Sequence, residues 1–166
     1  MSRSVLAAIA LLAATSLFAQ GEINVSATAD TSAKISLNTA KAAKDTITLT
    51  KMPLDTSLDY TNFYNVPLSI TIEGVEFTMN LAYKWVTSES SKTWTYKYTS
   101  TNTNEPTVSL VLDFKKGYWT LKLTKATLGP VDVKDGVDVV MTVSDGTKYL
   151  TNLDMSMQAT LAFPKK

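Results

Sequence analysis

The 166-residue chain contains no cysteine and no histidine, and its 16 basic residues nearly balance 15 acidic ones. Those absences exclude disulfide stapling and Ser-His-Asp or Cys-His catalysis, and they argue against zinc and copper centres. Arg3 is the only arginine, so the chain beyond it carries 15 lysines against 15 acids. It lacks both the net basic footprint of a nucleic-acid binder and the planar fork that grips phosphate.

In chain order, Arg3 supplies a basic start and Val5 to Leu12 an uncharged apolar run. This is the layout of a bacterial secretory signal peptide over residues 1–19, with cleavage expected after Ala19. The run is too short to span a bilayer, so no transmembrane helix is expected in the mature protein. No cysteine follows it to take a lipid. The expected location is beyond the cytoplasmic membrane, periplasmic or extracellular. Residues 20–166 are long enough to form a single domain with one well-buried core.

From Glu22 onward the pattern is strand-like. Ile23, Val25, Ala27 and Ala29 alternate with Asn24, Ser26, Thr28 and Asp30. Thr39 to Lys44 is compatible with one helical turn capped by Asn38, and Ile47 with Leu49 marks a short strand. Lys51 to Asn65 has no clean period and reads as an ordered loop.

Val66 to Ile72 and Val75 to Trp85 alternate around Glu73-Gly74, a hairpin signal. Trp94, Tyr96 and Tyr98 share one face of the next strand, and Ser100 to Pro106 reads as a loop. Val108 to Phe114 and Trp119 to Leu123 flank a second turn at Lys115-Lys116-Gly117. Further turns fall at Lys134-Asp135-Gly136 and Asp145-Gly146, around a strand from Val137 to Val143. A last alternating run extends from Leu153 to Phe163, and Pro164 ends it.

Eight to ten strands with frequent turns and no crossover helix predict an all-β, antiparallel β-sandwich. A small eight-stranded β-barrel is the structural rival. No S-x-x-K, Walker A or GxGxxG motif occurs, and no cofactor is expected.

Two constellations qualify as binding candidates. Trp94, Tyr96 and Tyr98 form either a sugar-stacking platform or, more simply, part of the core, because Thr95, Lys97 and Thr99 opposite them make a natural solvent face. Asp132, Asp135 and Asp138 offer hard oxygen ligands for calcium, but Lys134 stands where a calcium loop needs an acid or amide, so hairpin turns account for them better. Glu73, Glu76, Asp113 and Asp138 are the acids that a glycan hydrolase would draw on, and solvent-facing strand positions explain them equally well.

The stretch Gly21-Glu22-Ile23-Asn24-Val25-Ser26-Ala27-Thr28-Ala29-Asp30 resembles the N-terminal strand of chaperone-usher-type pilins. That resemblance implies assembly by strand donation to a neighbouring subunit. The sequence therefore points to an exported, non-enzymatic binding, structural or cell-surface component whose partners are other protein subunits or surface glycans, with no nucleic acid. The alternatives are a fimbrial-type subunit, a carboxylate-dependent glycan hydrolase and a small outer-membrane barrel.

Overall fold

A computed structural model of the chain describes residues 21–38, 44–55, 67–80, 85–88, 92–99, 102, 105–131, 135–154 and 159–162. Those residues form two sheets and no helix. The first sheet contains β1 (Glu22–Asn24), β4 (Pro67–Ile72), β5 (Val75–Asn80), β10 (Val137–Thr142) and β11 (Lys148–Leu153), in the order β1-β11-β10-β4-β5. The second contains β2 (Ser32–Ser36), β3 (Asp45–Pro53), β6 (Trp85–Ser88), β7 (Thr93–Tyr98), β8 (Thr107–Asp113), β9 (Tyr118–Ala126) and β12 (Ala159–Ala162), in the order β12-β2-β3-β9-β8-β7-β6.

Ten strands pair antiparallel, and the two terminal ones, β1 and β12, add parallel at an edge, on β11 and β2 respectively. Both sheets keep free edges, so the architecture is the sandwich and not the closed barrel.

Period-two alternation builds this arrangement. On β3, Ile47, Leu49 and Met52 are buried while Thr46, Thr48 and Thr50 are half-exposed. The same division puts Leu110 and Leu112 of β8 and Trp119, Leu121 and Leu123 of β9 into one core with Leu68, Ile70 and Ile72 of β4 and Val137, Val139 and Met141 of β10. Each such side chain contributes about 1.5–3 kcal/mol on burial, which lets a domain without disulfides hold together.

The turns follow from local chemistry. Glu73 and Gly74 both have positive φ, 48° and 76°, the two-residue turn that matches strand twist. Between β8 and β9 the Gly117 N–H donates to Asp113 O at 2.9 Å, and the buried Asp113 carboxylate accepts the Lys116 N–H at 2.9 Å. Between β10 and β11, Asp145 accepts the Thr147 N–H at 2.8 Å.

Several long alternations proved to contain breaks. The run from Ile23 is strand only within β1, and after a turn at Ala29-Asp30 comes β2, a strand that the sequence reading did not identify. The run from Leu153 divides between β11 in one sheet and β12 in the other, and the run from Val75 divides likewise between β5 and β6. Alternation specifies a face of a strand and survives a change of sheet, because both sheets point the same parity at one core. The region from Lys51 begins as strand, since β3 continues to Pro53. Residues 1–19 of the expected signal peptide, residues 39–43 of the expected helical turn and residues 56–65 of the expected loop lie outside the described residues.

Candidate functional site

The five-stranded sheet has edges at β1 and β5, and among the described residues no strand pairs on the outer side of β5, whose inner side chains Val75, Phe77 and Met79 lie opposite Ile72, Ile70 and Leu68. Beside it runs a groove of about 360 Å³, lined also by Glu76 and Thr78, by Pro106 and Val108 at the start of β8, and by Lys125 and Thr127 at the end of β9. Lys125 reaches this groove because β9 bulges there. Asp45 pairs with Ala126 and Thr46 with Thr124, leaving Lys125 as the extra residue with φ of 61°.

Hairpin geometry assigns the main-chain groups of β5. Ile72 and Val75 flank a two-residue turn and are a hydrogen-bonded pair, so Val75, Phe77 and Met79 direct their N–H and C=O groups to β4. Those of Glu76 and Thr78 face the open side. Val75, Glu76, Phe77, Thr78 and Met79 include no lysine or proline, and the ladder with β4 runs without a bulge. Six residues make β5 longer than the other edge strands, which have three or four. A partly apolar groove along an edge that no described strand covers is suited to accepting one more extended strand.

The aromatic candidates separate. Trp94 and Tyr96 are 3% and 4% exposed and belong to the core, so these three residues do not form a row of exposed rings for a sugar to stack on. Burial holds the Tyr96 phenol above its ordinary pKa, with a smaller contribution from Tyr98. Tyr98 alone is exposed, and its hydroxyl donates to Glu105 Oε2 at 2.9 Å.

Of the acidic candidates, Glu73, Asp113 and Asp138 are engaged in holding turns and strands, while Glu76 is exposed beside the groove. Asp138 accepts from Asn152 Nδ2 at 2.6 Å, and its main-chain N–H donates to Glu73 Oε1 at 2.6 Å. Asp135 is exposed at a turn, and its carbonyl accepts from the same Asn152 side chain at 3.2 Å. Asp132 lies outside the described residues, and among the described residues no group of three or more acids is placed to hold a metal ion. The buried carboxylate of Asp45 accepts from the Asn38 N–H at 2.7 Å and the Leu128 N–H at 2.9 Å, tying two connections to the core.

Sequence reasoning missed the β5 groove. Its side chains were visible as an alternating run, but nothing local marks a strand as an edge. No described helix is long and apolar enough to cross a membrane. No protein family, curated protein or solved structure matches the chain.

Proposed function

We propose that this protein is an exported, non-catalytic binding component, structural or displayed at the cell surface, that accepts an extended polypeptide segment along β5. The open edge with its adjoining apolar groove carries this reading: main-chain groups of Glu76 and Thr78 would bond the incoming strand, and Val75, Phe77 and Val108 would receive its alternate side chains. The hydrogen bonds that tie Asp45, Asp113 and Asp138 into strands and turns support a structural role for these carboxylates.

A second reading makes the occupant the N-terminal strand of another copy. It is favoured by β1, whose three residues are all exposed and which docks parallel on β11, so that releasing it would sacrifice little buried surface. The test adds a synthetic Gly21–Asp30 peptide, and peptides of other alternating sequences, to the mature protein while amide exchange is followed by NMR. Binding along β5 slows exchange at Glu76 and Thr78, and Thr78→Pro, which removes an outward N–H at an edge position, abolishes the protection at Glu76. Protection by Gly21–Asp30 alone supports subunit assembly. Unchanged exchange at Glu76 and Thr78 with every peptide refutes strand addition.

A further inference from the structure

The near-zero net charge conceals a segregation between the two sheets. On the seven-stranded sheet, register lines up five residues from five strands: Lys34 on β2 opposite Thr48 on β3, Thr48 opposite Lys122 on β9, Lys122 opposite Ser109 on β8, and Ser109 opposite Lys97 on β7. All five lie at outward positions, and the three lysines are exposed.

With neighbouring strands ~4.8 Å apart, lysines on every second strand stand ~10 Å apart in a row about 20 Å long. The flanking outward positions are mainly hydroxyls, including Ser36, Thr46 and Thr124 on one side and Thr95 and Thr120 on the other. Among the described residues no ion pair involves Lys34, Lys97 or Lys122. The acid at an outward position of these strands, Asp113, is buried at the strand end and paired with Lys116. The opposite sheet instead exposes Glu22, Glu76 and Asp138, and its Lys148 is paired with Glu22 at 3.6 Å.

We infer that the Lys34-Thr48-Lys122-Ser109-Lys97 row is a binding surface for a linear anionic polysaccharide with one carboxylate in each two-sugar repeat. The lysines would meet successive carboxylates, and the serine and threonine hydroxyls between and beside them would bond the sugar hydroxyls. Charge complementarity and spacing select this ligand over nucleic acid. Each strand of duplex DNA presents a phosphate about every 3.4 Å of helix axis, roughly three times denser than the lysines. The outward positions of the row and its flanks supply neither arginine nor an aromatic ring on which a base could stack. This surface is distinct from the β5 groove, so either can fail without the other.

The experiment measures affinity of the mature protein for hyaluronan oligosaccharides, which carry one carboxylate per disaccharide, beside a neutral glucan of equal length, a single-stranded oligonucleotide and anionic lipid vesicles. Expected are binding to hyaluronan in preference to all three, weakening as salt rises, about threefold loss in Lys122→Gln, at least tenfold loss in the triple variant Lys34→Gln/Lys97→Gln/Lys122→Gln, and no loss in Lys148→Gln. Unaltered near-UV circular dichroism of each variant confirms that the fold persists. No hyaluronan binding, equal binding of the neutral glucan, full affinity in the folded triple variant, or tighter binding of the oligonucleotide or vesicles overturns the inference.

Discussion

Replacing Gly136 with alanine puts the packing of the β10–β11 pair to a quantitative test. Gly136 has φ of 102°, and a Cβ built there would stand 2.6 Å from Leu153 O and 2.7 Å from Asn152 Oδ1. Leu153 pairs with Val137 at the end of the ladder, so relieving the contact requires moving main chain. The unfavourable φ costs about 1–2 kcal/mol, and forcing extra volume into a packed site adds about 1–3 kcal/mol. A combined loss of about 3–4 kcal/mol is a large share of the ~5–15 kcal/mol that holds a typical domain. Gly74→Ala is the control: its φ is 76° and nothing lies within 4 Å of the new Cβ, so only the conformational cost of about 1–2 kcal/mol applies. Urea unfolding of both variants should place the Gly136→Ala midpoint lower than that of Gly74→Ala by about 1 M or more, given slopes of ~1–3 kcal/mol/M. Equal midpoints would show that the strand end yields freely and would refute the reasoning.

Other consequences can be measured on the same material. Asp45→Ala strips the acceptor from the Asn38 and Leu128 N–H groups and should cost about 3 kcal/mol, with Asp45→Asn closer to the parent because one oxygen remains; equal losses in urea unfolding would contradict this. The main-chain N–H and the hydroxyl of Thr147 hold Asp145 below the usual carboxylate range. Its stabilising contribution is then present above the unfolded value of about 4 and lost as pH falls through the depressed folded value. Asp145→Asn should accordingly be less stable than the parent at pH 7, and the gap should close toward pH 2. The raised pKa of Tyr96 works in the other direction: above the unfolded value of about 10, stability should fall as pH rises toward the folded value, more steeply in the parent than in Tyr96→Phe. Identical alkaline slopes would exclude Tyr96 as the source.

Much of the architecture was legible in the sequence because strands and turns are encoded locally. The alternation of Leu110 and Leu112 with Ser109 and Val111 selects a buried face, and the glycines of Glu73-Gly74 and Lys116-Gly117 supply the positive φ that their turns use. Trp94 and Tyr96 are buried as the polar parity of Thr95 and Lys97 opposite them indicated, whereas Tyr98, in the same phase, is exposed at the strand end. Parity states which way a side chain points and carries no information on where the covering sheet stops.

By itself, the sequence determined an all-β chain, its principal turns, the inward parity of its strands and the exclusion of histidine- and cysteine-dependent chemistry. Only the tertiary structure decided that β5 is an edge with a groove beside it, that alternating runs cross from one sheet to the other, and that Lys34, Lys97 and Lys122 share one row. The physical reason is the range of the forces involved. Alternation and turn propensity act over a few residues, while strand order and register come from burying one common core with partners distant along the chain.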